Sequence, residues 1–176
     1  MYQWTTVVTP QFPHLSQPQV TVLALGSLGR GLAHSCALRA VATWWAVGLE
    51  GNATTVRQHW REWWYEAAAK RGEHRRALEG ESCFAPRLGG VLRWGEGPHL
   101  ALAVDAPAWG AGFVGLAVSV VYRGCAIPVA WTVRPGHTPP AWRGEGVRRV
   151  RQVRPAGPPT LTGIVLADRG LDARWV

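Results

Sequence analysis

Two apolar runs, far apart in the chain, end in the same way. Residues 99–104 read His-Leu-Ala-Leu-Ala-Val and stop on Asp105, and residues 161–167 read Leu-Thr-Gly-Ile-Val-Leu-Ala and stop on Asp168. A carboxylate that closes a buried strand has to be solvated, paired or bound to a cation, because burying it alone is costly. If the two strands lie parallel and adjacent, both carboxylates leave the sheet at one edge. Open sheets with crossover helices hold their ligands at that edge. Hard oxygen donors of this kind suit Mg2+, which takes one or two protein carboxylates and leaves its other positions to water or phosphate.

The stretch between the two aspartates suggests how such a sheet is connected. Residues 113–122 and 125–133 are two further apolar runs separated by Arg123-Gly124, the length of a tight hairpin turn in which Gly124 can take positive φ. Pro128 cannot donate to a ladder, so its strand is expected at a sheet edge or a bulge, outermost in an antiparallel meander. Residues 142–152 are the expected crossover helix, although Gly144 and Gly146 weaken it. Pro155, Pro158 and Pro159 end it, and the chain returns with a fourth strand parallel to the first. Asp105 is the one charge in residues 98–122, yet Pro107, Gly110, Gly112 and Gly115 interrupt that stretch, which reads as a buried hairpin and not a membrane span.

Upstream, the apolar period is helical. Ala37, Leu38, Val41, Ala42, Trp45 and Leu49 share one face of a helix over residues 34–49. Asn52 is the expected cap of a second helix over residues 54–71, with Val56, Trp60, Trp63, Trp64 and Ala67 on one wide face and Glu66 to Lys70 as a supporting pair in the last turn. Residues 1–19 start as a loop broken by Pro10, Pro13 and Pro18. Gly26, Gly29 and Gly31 read as a flexible turn, and residues 73–97 as a linker without sustained period. The expected organisation is α/β: a mainly helical region over residues 1–97, followed by a strand-rich region over residues 98–176.

Charge narrows the partner. The chain carries a formal charge of +8, which argues for a polyanion. Residues 142–154 hold Arg143, Arg148, Arg149, Arg151 and Arg154 against a single acid, Glu145. Arg148, Arg149, Arg151 and Arg154 are the candidate phosphate contacts, since a guanidinium can grip phosphate with two hydrogen bonds. Cys36, Cys83 and Cys125 are too sparse for a disulfide frame or zinc site, and no basic-then-apolar leader opens the chain. Reduced thiols in the cytoplasm, away from any membrane, are expected.

The phrases Leu-Ala-Val-Asp-Ala at residues 102–106, Leu-Ala-Val-Ser-Val-Val-Tyr-Arg-Gly-Cys-Ala-Ile-Pro-Val-Ala-Trp at 116–131 and Val-Leu-Ala-Asp-Arg-Gly-Leu at 165–171 resemble the catalytic core of DDE transposases from bacterial insertion sequences. The resemblance covers residues 99–176. It implies an incomplete RNase H-like mixed sheet of order 3-2-1-4-5, with Asp105 and Asp168 as the first two catalytic, metal-binding carboxylates. It also implies Mg2+ or Mn2+ as cofactor, transposon-end DNA as partner and homo-oligomers in the intact family. Such metals activate water or a DNA 3′-hydroxyl for in-line attack on a phosphodiester. The family's third carboxylate, a glutamate on a helix after a fifth strand, has no counterpart in residues 1–176, and Pro107 and Asp172 depart from the usual pattern. The expectation is therefore a truncated transposase without cleavage activity. Two alternatives stand beside it: a noncatalytic basic DNA-binding module, and an RNase H-like nuclease that completes its set with Glu145.

Overall fold

The computed structural model describes residues 2–48, 52–70, 76–95, 97–109, 112–136 and 142–167. The chain divides into two compact units, Met1–Glu79 and Gly80–Val176. The division falls upstream of the boundary expected near Gly97, for a reason that lies in the second unit.

The first unit is helical: α1 (Tyr2–Val8), α2 (Gln17–Ala33), α3 (Leu38–Gly48) and α4 (Ala53–Trp63). Two readings are corrected at its start. Residues expected as loop form α1 and a 3-10 turn, Thr9–Gln11, and Pro18 sits in the first turn of α2, where its missing N–H costs nothing. The backbone N–H of Ser16 donates to Gln19 Oε1 at 3.0 Å, closing that helix start.

The second correction concerns the glycines. α2 runs straight through Gly26, Gly29 and Gly31, where a flexible turn was expected. A Cβ at Gly26 would overlap the six-membered ring of Trp60, and one at Gly29 would crowd Trp45 and Val41 at 2.8 and 2.9 Å. Their bare backbone is what lets two indoles lie against α2. Trp45 and Trp60 meet edge-on at 5.0 Å within a cluster that includes Val41, Ala42 and Val56, and Trp45 Nε1 donates to the Leu25 carbonyl at 2.6 Å. Packing of this kind overrides the weak propensity penalty of glycine. Asn52 caps α4 as expected, accepting from the N–H groups of Thr54 (2.8 Å) and Thr55 (3.4 Å). The helix stops at Trp63, so Glu66 and Lys70 do not face each other across a turn, and Lys70 Nζ donates to the Arg76 carbonyl at 2.6 Å.

The second unit holds α5 (Phe84–Leu92), β1 (His99–Asp105), β2 (Ala108–Trp109), β3 (Phe113–Tyr122), β4 (Cys125–Pro135), α6 (Trp142–Val153) and β5 (Thr162–Ala167). The linker expected over residues 73–97 contains α5. Phe84, Leu88 and Val91 recur at i, i+4 and i+7 and are buried in the same core as the strands, so the helix belongs to the sheet's unit and draws the boundary back to Glu79. Gly89 and Gly90 dilute the period and hid it from a composition-based reading.

The sheet is mixed. β3 pairs antiparallel with β1 on one side and with β4 on the other; β2 continues along β3 beyond the end of β1; β5 pairs with β1 in parallel. Arg123 (φ 47°) and Gly124 (φ 80°) make the two-residue turn between β3 and β4 with both central residues left-handed. Pro128 satisfies both of its expectations: β4 pairs only with β3 among the described residues, and a register shift at Val118/Ser119 places Pro128 beside a bulge. α6 supplies the crossover.

The register assigns the two faces. Leu102, Val104, Leu116, Val118, Val120 and Ala130 point to one side, where Leu88 and Val153 join them in the core. The other face carries Ala103, Asp105, Ala117, Trp131, Val133, Ile164 and Leu166, all of them half-buried or exposed.

Candidate functional site

Asp105 is the last residue of β1, exposed, and directly opposite Ala117 of β3. Its Oδ1 accepts the N–H of Ala106 at 2.8 Å, which turns the chain out of the strand and holds the carboxylate at the strand end. β5 runs beside β1 from His99↔Thr162 to Val104↔Ala167. The carboxyl ends of both strands therefore reach the same edge. Asp168 follows Ala167 in the sequence and lies outside the described residues. Among the described residues no group of three His, Cys, Asp or Glu side chains is gathered as a metal cage.

Glu145 is on the crossover helix, as the nuclease alternative requires, but its carboxylate is engaged elsewhere. Oε1 accepts from Arg134, and Oε2 accepts from Thr132 Oγ1 (3.0 Å) and Arg148 Nη2 (2.9 Å), both partners being on or against β4 or α6. Burial alone would push this carboxyl up, but the hydrogen bonds from Arg148 and Thr132 and the charges of Arg148 and Arg134 outweigh it and hold it below the ordinary value. Three protein donors thus engage this carboxylate, one on Oε1 and two on Oε2. Glu145 is tied instead to β4 and to its own helix.

The four candidate arginines separate into two kinds. Arg149 is buried, with 3% of its surface exposed. Its Nε donates to Thr132 Oγ1 at 2.7 Å, its Nη1 pairs with Glu81 at 2.7 Å, and its guanidinium lies 5.2 Å from the Phe84 ring. Arg148 pairs with Glu81 (3.1 Å) and Glu145 (2.9 Å). Gln152 Nε2 closes the cluster on Glu81 at 2.6 Å, and this bond, followed by the one from Arg149, holds the Glu81 carboxyl below its usual range. These groups tie the turn before α5 (Gly80–Cys83) to α6 and β4. Arg149 cannot serve as the phosphate contact expected of it, and Arg148 would have to leave two carboxylates to do so. The positional signal was there: Arg149 follows Trp142 by seven residues and precedes Val153 by four, so it falls on the core stripe of α6, not on its outer face.

Arg151 and Arg154 are exposed and make no ion pair with the described residues. They line a groove of about 560 Å³ together with Leu100, Leu102, Leu161 and Val165. Leu100 and Asp105 are five residues apart on an extended strand, roughly 16 Å. The free arginines thus sit towards the end of the sheet away from Asp105. Among the described residues no helix is long and apolar enough to cross a membrane.

No family model, no curated protein and no solved structure matches the chain.

Proposed function

We propose that Gly80–Val176 is the metal-binding part of an RNase H-like domain of the kind found in DDE transposases, with Asp105 and Asp168 as the carboxylates that hold Mg2+ or Mn2+, and DNA as the partner. The observation that carries this reading is the parallel register of β1 and β5, whose last described pair is Val104↔Ala167. In the sequence Asp105 follows Val104 and Asp168 follows Ala167, so the reading takes both carboxylates to the edge where the two strands end. Asp105 suits the role in its own right, being an exposed hard-oxygen donor at the carboxyl end of a central strand. In the family that the sequence resembles, the metal supplies an activated water or 3′-hydroxyl and steadies the charge growing on the phosphodiester.

Among the described residues no third carboxylate is gathered with Asp105, and this polypeptide is proposed to bind the metal without cutting DNA. Glu145 is not counted in, because its oxygens serve Arg134, Thr132 and Arg148. Of the proposed phosphate contacts, Arg151 and Arg154 are retained.

Titration of the full chain with Mn2+, followed by the paramagnetic resonance of the free ion, tests the reading. Asp105→Asn and Asp168→Asn are each expected to weaken binding at least about tenfold, the loss of one charged ligand. Mn2+ binding indifferent to both substitutions would sink it. Metal-dependent nicking of a plasmid, abolished by Asp105→Asn, would overturn the inactivity alone.

A further inference from the structure

On the core face of the sheet, β5 is only partly covered. Leu100, Leu102 and Val165 floor the groove of about 560 Å³ beside it, and Val150 and Val153 of α6 join them. Gly163 stands on this face opposite Leu100, and a Cβ placed there would meet nothing within 4 Å, so the groove is open above the strand. From Leu161 to Val165 an extended chain covers roughly 13 Å, the length of a medium alkyl chain, and the volume is that of a small-ligand site.

The segment after α6 lines the same groove and is fixed before any ligand arrives. Pro155, Pro158 and Pro159 have their φ set by the ring and no N–H to offer. The N–H groups of Gly157, Leu161 and Thr162 already donate to the carbonyls of Arg154, Pro158 and Pro98 at 3.1, 3.0 and 2.8 Å. This side of the groove is therefore apolar as well as rigid. Two cations interrupt it: Arg151 near the end of α6, and Arg154 three residues on, opening the 3-10 turn Arg154–Ala156. Both are exposed, neither pairs with a carboxylate among the described residues, and no acid among those residues lines the groove.

We propose that this groove binds an amphipathic carboxylate, an acyl anion of medium length whose chain lies on Leu100, Leu102 and Val165 and whose head is held by Arg151 and Arg154. The attraction is local, set by two cations that line the groove itself. A carboxylate head accepts charge-assisted hydrogen bonds from a guanidinium, two at a time where the geometry is bidentate. An uncharged apolar ligand would leave both cations without a partner. A nucleic acid, charged along its whole backbone, would gain nothing from the apolar floor and would reach only the arginines at its margin, so a phosphate and the acyl head exclude one another there. The site goes beyond the reading above and does not rest on it, since neither Asp105 nor a metal takes part.

The test is isothermal titration of the full chain with decanoate, below its micelle concentration and in EDTA, with unfolding midpoints measured for every variant. Arg151→Gln and Arg154→Gln are each expected to weaken binding about tenfold, and Gly163→Leu, which fills the open space, to weaken it at least as much. Decanol is expected to bind wild type about tenfold more weakly than decanoate does, and to bind wild type and Arg151→Gln alike. Both arginines are exposed, so their variants keep the experiment decisive should Gly163→Leu disturb β5. Wild-type affinity in both glutamine variants overturns the proposal. So does decanol binding as tightly as decanoate, which would leave an apolar surface without anion recognition, or uptake of phosphatidylglycerol vesicles without binding of monomeric decanoate, which would make the groove a membrane contact. A dimer in sedimentation that Gly163→Leu dissociates would make a second copy the occupant and overturns it too. Because EDTA removes the metal, this titration and the one with Mn2+ succeed or fail separately.

Discussion

Gly26 shows how much can rest on a missing methyl group. The ring of Trp60 occupies the space a Cβ would take, and Trp60 in turn packs on Trp45. Gly26→Ala cannot be absorbed by a flexible chain end, because the obstructing atoms belong to a rigid indole in a packed cluster. It is expected to destabilise the helical unit by about 1–3 kcal/mol, read from urea unfolding. Arg149 is the counterpart in the other unit. Arg149→Ala removes its bonds to Thr132 and Glu81 and its contact with Phe84, for an expected loss of about 2–3 kcal/mol. The cost stays below that of breaking a fully buried pair because Glu81 is half exposed and Glu145 keeps Arg134 and Arg148. The same cluster sets an acid limit. The folded pKa of Glu145 is depressed below the ordinary 4.5, so its contribution is present above that value and is lost as pH falls through the depressed one. Glu145→Gln should therefore flatten the decline of the unfolding midpoint below about pH 4.5, and an acid limb identical to wild type would count against the assignment.

Elements were legible where their signal is local. The hairpin turn is written in two residues and forms with Arg123 and Gly124 both at positive φ. Arg123→Asn, better suited to that conformation, is expected to stabilise the sheet unit by a few tenths of a kcal/mol, and Gly124→Ala to destabilise it by about 1 kcal/mol; thermal unfolding of the two variants should move in opposite directions. The crossover helix and the parallel return of β5 were also readable, since Pro155, Pro158 and Pro159 mark the exit and the Asp-terminated runs mark the strands. What escaped was non-local. Nothing near Gly26 in the sequence announces an indole more than thirty residues on, and α5 hides because its stripe of Phe84, Leu88 and Val91 is diluted by Gly89 and Gly90. At the candidate site, the strand-end position of Asp105 was readable. Of the arginines, Arg149 was legible only by phasing α6 on Trp142 and Val153, and the engagement of Arg148 with Glu81, far off in the chain, was not legible, because charge density by itself carries no information about helix face.

At the scale of the molecule, two compact units joined near Glu79 should unfold as two events, each with its own core. Calorimetry is expected to resolve two transitions, with Gly26→Ala lowering one and Arg149→Ala the other; a single transition shifted by both substitutions would contradict that independence. The kink at Pro128 also gives the sheet a direction of growth. Its nitrogen bears no hydrogen, its carbonyl is taken by Arg87, and the ladder skips a residue there. A foreign strand arriving on that flank meets an interrupted row of partners, whereas β5, uncharged and unpaired on its outer side among the described residues, offers an unbroken one. Among the described residues, then, β5 is the flank open to an added strand and β4 the flank guarded against one.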